Sequence, residues 1–339
     1  MITIAVDAMG GDFAPKNNIE GAIHAVNTFD IKIILVGQEN KIKAELKKYP
    51  NYPKEKIDIE HANDVINMTD SPTKAFRQKK NSSIHIGLNL VKKNIAQGFV
   101  SPGNTGAILT TSTLILGRSN GVERPALASA IPSSKGPFVL LDLGSTVDCK
   151  SSHLQQFAIM GHYFAKLILH INKPRIALLN IGEEEEKGNI LTQESHSLLK
   201  ELPYNFIGNI EANELLFGHS DVVVCDGFVG NNILKFGESI SKLISNFIKD
   251  AAKKSFIAVI GILFLKKNLK EFKKKFSYET YGGAQLLGIN GISIIAHGNA
   301  KPEAIKNAIR IAKESIECNM TEKISSSIKK YHNQTSLKK

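Results

Sequence analysis

Six turns rich in Gly, Asn, Asp and Thr punctuate this 339-residue chain, each directly after a short apolar run. They are Asp7-Ala8-Met9-Gly10-Gly11-Asp12, Ser101-Pro102-Gly103-Asn104-Thr105-Gly106, Asp142-Leu143-Gly144-Ser145-Thr146, Asn180-Ile181-Gly182-Glu183 running on to Lys187-Gly188-Asn189, Asp226-Gly227-Phe228-Val229-Gly230-Asn231-Asn232, and Ala296-His297-Gly298-Asn299. Glycine lets backbone approach a ligand closely, and a strand–turn–helix unit directs unpaired N–H groups at one point. Asn and Thr add neutral donors, so the chemistry suggested is the binding of an oxyanion such as phosphate. One such turn alone is weak, because Gly and Asn are common loop residues. A set of them, all expected at strand ends, points to an anion site. No G-x-x-x-x-G-K-[ST] and no G-x-G-x-x-G occurs, which argues against a standard nucleoside triphosphate or dinucleotide site.

The elements that must position these turns follow an α/β pattern. Strands are expected at 3–7, 32–36, 57–60, 98–101, 126–131, 138–142, 175–180, 205–207, 221–225 and 291–296, several of them almost purely Val, Ile and Leu and so covered on both faces. Helices are expected at 15–29, 39–48, 71–77, 83–95, 105–116, 151–170, 189–201, 231–252 and 301–313. No Pro/Ser-rich linker divides the chain, so residues 1–325 read as a single domain and the basic stretch 326–339 as a frayed tail.

Composition narrows the class. Hydrophobic residues are 42% and charged residues 22%, as in folded globular proteins. The N-terminus reads as a first strand rather than a signal peptide. Cys149, Cys225 and Cys318 are far apart and fit neither a disulfide framework nor a zinc site. There is no Trp, which leaves little for stacking on nucleic-acid bases. The formal net charge of +11 favours acidic partners, although Lys is scattered through most helices.

The turns together with Arg124-Pro125-Ala126, Gly208-Asn209-Ile210-Glu211 and Tyr281-Gly282-Gly283-Ala284 resemble, in order and over residues 1 to about 315, the bacterial acyl-acyl carrier protein:phosphate acyltransferases. The chain departs from that pattern at Pro102, Ser145-Thr146, Ala212-Asn213 and Asn299-Ala300. The resemblance implies a Rossmann-like multi-layer fold similar to isocitrate and isopropylmalate dehydrogenases. It implies transfer of an acyl group from acyl carrier protein to orthophosphate, with the acyl phosphate passing to a membrane glycerol-3-phosphate acyltransferase for phospholipid synthesis. It also implies a homodimer in the cytoplasm, attached peripherally to the inner face of the membrane. No cofactor or metal is expected, and no nucleic acid.

Phosphate attack on a thioester needs a held nucleophile, donors for the developing oxyanion and a departing thiolate. Lys187 is the expected cation, although beside Glu183 to Glu186 it also reads as a solvated lysine. Asn231 is the expected amide donor or, equally, a helix cap. His297 is a candidate proton holder for the leaving group. Gly10, Gly11, Asn104, Thr105, Gly106, Gly230 and Asn232 are expected to line the phosphate. Asp7, Asp12 and Asp226 would repel an anion and read as turn braces or, less readily, metal ligands. Cys225 invites an acyl-cysteine mechanism, but it ends an apolar strand with no His near it in sequence.

Residues 249–275 carry nine Lys around the ten-residue apolar run Phe256 to Leu265. Apolar side chains flanked by Lys suit a membrane interface, with Phe256, Ile260, Leu263 and Phe264 as contacts; a core or dimer-interface helix is the alternative. Three other functions stay open at this point: a phosphotransacetylase-like enzyme using acyl-coenzyme A, a dehydrogenase on a related fold, and a non-catalytic membrane scaffold for acyl carrier protein.

Overall fold

The computed structural model describes residues 1–254, 264–265, 267 and 282–336. Its strands are β1 (Ile2–Asp7), β2 (Ile31–Gly37), β3 (Ile57–His61), β4 (Gly98–Ser101), β5 (Ala126–Ile131), β6 (Phe138–Leu141), β7 (Ile176–Leu179), β8 (Phe206–Ile210), β9 (Val222–Val224), β10 (Ala284–Leu287) and β11 (Ile292–Ile295). The helices are α1 (Lys16–Thr28), α2 (Glu39–Leu46), α3 (Pro72–Gln78), α4 (Ser83–Lys92), α5 (Thr105–Leu116), α6 (Ser151–Leu167), α7 (Ile190–Lys200), α8 (Gly227–Lys254), α9 (Pro302–Glu317) and α10 (Met320–Ser336).

The strands form one 11-stranded sheet in the order β3-β2-β1-β4-β11-β10-β5-β6-β9-β7-β8. Apolar alternation places their side chains on two faces. Ile4 and Val6 of β1 join the core under α1, α6 and α9, whereas Ala5 joins the core under α4 and α5. All these side chains are buried, as expected for a sheet covered on both sides.

Strand direction decides where the turns go. β1, β2, β3, β4 and β11 run parallel. β10 is antiparallel to both β11 and β5, and β5 is antiparallel to β6. β6, β9, β7 and β8 are again parallel to one another. Three reversals between β11 and β6 turn the second half of the sheet over. The turns after β1, β4 and β11 therefore leave from one edge, here the upper one, and those after β6, β9 and β7 leave from the opposite, lower edge. The turns thus fall into two groups by the direction of the strands they follow.

Two further elements differ from expectation. β10 is not among the expected strands, because Ala-Gln-Leu-Leu between Gly282-Gly283 and Gly288 is too short to show a period. The stretch expected to fray from 326 continues as α10 to Ser336. Ile324 and Ile328 are buried there, and Tyr331 Oη accepts from Gln155 Nε2 of α6 at 2.8 Å. Apolar residues every fourth position, hidden among Lys and Ser, hold this helix on α6. Of the expected membrane contacts, Phe256, Ile260 and Leu263 lie outside the described residues, while Phe264 is described and exposed.

Candidate active site

The upper cluster is built around Asp7, whose side chain is fully buried. Its Oδ1 accepts the N–H groups of Met9 at 2.9 Å and Gly10 at 3.0 Å, and its Oδ2 accepts the Ser101 hydroxyl at 2.6 Å. Burial pushes the carboxyl up, and these bonds, with Ser83, partly offset it. A Cβ at Gly10 would lie 2.8 Å from the Gly103 backbone, so two turns touch through glycine. Asp7 thus braces the turn.

Asn104 does the same for its neighbours. Its amide donates to the carbonyls of Met68 and Asp70 at 2.9 and 3.0 Å, and its oxygen caps α5 through Ala107 N–H. That carboxamide is engaged in the fold rather than directed at a ligand. Gly106 packs against Pro72, where a Cβ would lie 2.6 Å from Cγ, and Thr105 is exposed in the first turn of α5. His297 lies at this same edge, with Nε2 3.6 Å from Glu238 of α8.

The lower cluster is centred on Asp142, also fully buried. Its Oδ1 accepts N–H groups from Leu127 at 2.9 Å, Gly144 at 3.2 Å and Ser145 at 3.1 Å, and its Oδ2 accepts Thr146 N–H at 2.7 Å. Burial raises this carboxyl too, against the pull of those bonds. The family-departing Ser145 keeps the brace, its hydroxyl lying 2.9 Å from Asp142 Oδ2 and 2.7 Å from the Pro125 carbonyl.

Because β9 lies between β6 and β7, the turn carrying Asn231 lies between those carrying Asp142 and Lys187. Asp226 caps α8, its Oδ1 accepting Val229 N–H at 2.8 Å. The helix starts four residues earlier than expected. Asn231 is therefore inside the helix rather than its cap, and the Gly230 N–H bonds Asp226 O at 3.0 Å. Gly230 contributes contact instead of an anion donor: a Cβ there would lie 1.9 Å from Asp142 O. Asn232 returns its amide to Phe228 O at 2.7 Å. The Asn231 carboxamide, beside Gly144, has no hydrogen-bond partner among the described residues.

Lys187 is held through its backbone. Asn180 Nδ2 donates to the Lys187 carbonyl at 3.0 Å, and the side-chain stem lies over Gly182. Gly188 has φ +92°, and a Cβ there would lie 2.2 Å from Asn180 Oδ1, so no other residue fits the turn. Asn189 then caps α7 by accepting Thr192 N–H at 2.9 Å. The Lys187 ammonium is exposed and has no ion-pair partner among the described residues. Of the acid run beside it, Glu185 pairs with Lys200, and the Glu184 backbone carbonyl accepts Asn209 Nδ2 at 2.8 Å.

Lys187 and Asn231 are thus brought to one edge, and His297 is not. Asn231 and Glu238, the partner of His297, are seven residues apart on the same face of α8, a rise of about 10 Å. Arg124 of the Arg124-Pro125-Ala126 motif stands just before β5. It is exposed at the lower edge, near enough for its charge to act on the Cys149 thiol.

Neither thiol here is a ready nucleophile. Burial and the nearby Asp142 and Asp226 charges push the Cys225 thiol well above its ordinary value. Burial and Asp142 push Cys149 up to about 12. Both stay protonated near neutral pH, and the thiolate is the reactive form. Among the described residues no group of three or more His, Cys, Asp or Glu is arranged to hold a metal ion, and no helix is long and apolar enough to cross a membrane.

A family model described as a fatty acid synthesis protein matches residues 2–323. The chain is 46% identical over 325 residues to a phosphate acyltransferase of Alkaliphilus oremlandii, covering 96% of this chain and 97% of that protein. It is 47% identical over 325 residues to a phosphate acyltransferase of Pelotomaculum thermopropionicum, covering 96% and 94%. Among solved structures, the EutD phosphotransacetylase of Staphylococcus aureus aligns with TM-score 0.61 and 16% identity, covering 93% of this chain and 94% of that one. At that identity the likeness shows the fold alone, a mixed α/β architecture with a large central sheet.

Proposed function

The chain belongs to the fatty acid synthesis protein family, whose curated relatives are phosphate acyltransferases, and from that premise we propose that its lower sheet edge transfers a fatty acyl group from acyl-[acyl carrier protein] to orthophosphate. The product is acyl phosphate for phospholipid synthesis. One observation carries the placement. On adjacent turns, the Lys187 ammonium and the Asn231 carboxamide lack partners among the described residues, while Asp142, Asn180, Asn189 and Asn232 are engaged in the fold.

The Lys187 charge holds the phosphate. A phosphate oxygen attacks the thioester carbonyl carbon and a C–O bond forms. The Asn231 amide donates to the carbonyl oxygen as negative charge develops there. The C–S bond then breaks, and the carrier thiolate leaves and takes a proton from solvent. Phosphate is itself the nucleophile, so no enzyme-bound acyl intermediate is needed, in keeping with two protonated, half-buried or buried thiols. Lys187→Ala and Asn231→Ala should each lower acyl-phosphate formation about 10²- to 10³-fold, the scale of one lost oxyanion donor. Full activity in both variants would remove this site. Substrate choice is read by comparing acyl carrier protein and coenzyme A thioesters. Faster turnover of the coenzyme A form would make this a phosphotransacetylase-like enzyme.

The finer setting belongs to the same proposal. Phe236, Ile240, Leu243, Ile244 and Phe247 form an exposed apolar stripe at helical spacing on α8, which supports a homodimer built on that helix. Monomers in sedimentation equilibrium of the wild type would exclude it. The basic apolar segment at 249–276 supports peripheral contact with anionic lipid at the inner face of the membrane, near the glycerol-3-phosphate acyltransferase. Liposome flotation that persists after Ile260, Leu263 and Phe264 become Asp would remove that contact. A kinship of the fold to isocitrate and isopropylmalate dehydrogenases belongs to the same proposal, and a structural alignment to those enzymes tests it.

A further inference from the structure

The three turns of the lower edge carry more than polar groups. Val147 follows β6, Ile181 follows β7, Ile190 opens α7 and Phe228 stands in the first turn of α8, and each is more than half exposed. Single exposed apolar side chains are ordinary, but four on the turns around one polar site form a collar. Ile190, three residues after Lys187, is 75% exposed and lines a hollow of about 370 Å³ between the first turns of α6 and α7. The lining is Cys149, Lys150, Ser151, Ile190, Leu191 and Glu194. Its two charges are of opposite sign, so nothing in it selects an anion.

The hollow adjoins the turn braced by Asp142 through Cys149. Cys149 is within hydrogen-bonding reach of the Gly227 backbone, and its Sγ donates to Thr146 O at 3.4 Å, next to the Asp142 brace. As a protonated thiol, Cys149 presents a small apolar wall. We propose that this hollow seats the acyl chain of the thioester donor, and that Ile190 and Leu191, with Val147 at the collar, set acyl-chain preference. The proposal rests on the acyl-transfer reading above. Ile190, Leu191 and the Cys149 thiol form the apolar part of a lining that Lys150, Ser151 and Glu194 complete, and apolar contacts beside a few fixed polar groups are the usual makeup of such a pocket. Energy from burying the chain, remote from the thioester, is then available to hold the carbonyl against phosphate.

The test uses the full chain and two variants at this exposed position, Ile190→Asp and Ile190→Trp. Two quantities are measured across butyryl, octanoyl and palmitoyl length: kcat/KM with acyl thioesters, and equilibrium binding of the corresponding alkyl phosphonates. In the wild type both should climb by about fourfold per methylene while the chain fills the hollow, from ~0.8 kcal/mol per buried CH₂. Ile190→Asp should cut the palmitoyl-to-butyryl ratio by about tenfold or more, and Ile190→Trp should move the plateau to shorter chains. A length dependence unchanged in both variants, or an equal loss at every length, overturns the seat while leaving the acyl-transfer reading intact. Phosphonate binding whose length dependence Ile190→Asp abolishes, in a wild type that makes no acyl phosphate, supports the seat and overturns the reading.

Discussion

The side-chain amide of Asn180, at the end of β7, donates to the backbone carbonyl of Lys187 at 3.0 Å. Its oxygen accepts the Ile181 N–H at 2.9 Å, so one side chain closes the whole loop that presents the lysine. Asn180 touches the loop rather than the reacting atoms and is a positioning residue. Asn180→Ala should lower kcat/KM about tenfold to a hundredfold through misplacement of Lys187, with KM for phosphate rising, while the melting temperature falls only slightly. Unchanged kinetics in a folded variant would mean the loop holds its shape without this bond.

Gly230 and Gly237 lie two turns apart on α8 and should respond in opposite ways to alanine. At Gly230 a Cβ would lie 1.9 Å from Asp142 O and 2.9 Å from Cys225 Sγ, against backbone that cannot move freely. Gly230→Ala should destabilise by about 1–3 kcal/mol or more. At Gly237 nothing lies within 4 Å, and alanine should add up to about 1 kcal/mol of helix preference. Thermal melts of the two variants check the pair, and a neutral Gly230→Ala would show that the strand-end turn yields.

Cys225 has its thiol raised by burial and donates to Asp142 O at 3.7 Å. Cys225→Ser keeps a donor at that place and should retain most of the activity. The native wild type should also resist alkylation at this position. Complete loss of acyl-phosphate formation in a folded Ser variant would bring back an acyl-cysteine intermediate.

His162 stacks on Tyr204 with ring centroids 4.2 Å apart, and its Nδ1 is buried without a partner. Burial, with Lys166 one turn on, pulls its pKa down to about 4 from 6.5. Between those values the unfolded chain binds the proton that the folded protein refuses. This residue's contribution is therefore complete above pH about 6.5 and is lost as pH falls toward 4. His85, His153 and His196 shift in the same direction, chiefly through burial. His162→Phe should reduce the drop in melting temperature between neutral and acid pH by a few degrees without abolishing it. An identical pH profile in the two proteins would show that His162 titrates normally.

Much of this is legible in the sequence. All ten expected strands correspond to strands of the sheet, and β6, β7 and β9 show why: strands buried on both faces print as short unbroken apolar runs bounded by turn residues. Lys187 and Asn231 were singled out from residue type and turn position, and both stand at one edge. Which donors remain unengaged was not legible. Asn104, Asn231 and Asn232 look alike in sequence, yet two of them close bonds with carbonyls nearby in space and one does not. The start of α8 was misplaced because Asp226, the residue that caps it, reads equally well as part of a Gly-rich loop.

The sequence by itself determined the local chemistry: apolar runs that become strands, glycines where backbone must touch, and the acids that brace each turn. Only the tertiary structure decided which turns share a site. A strand's pattern carries no sign of its direction, so the reversals at β10, β5 and β6 cannot be read from periodicity. Those reversals send the turns of Asp7 and His297 to one edge and those of Asp142, Lys187 and Asn231 to the other. Direction is set by pairing between strands far apart in the chain, such as Leu286 of β10 with Leu127 of β5, and pairing exists only once the sheet has formed.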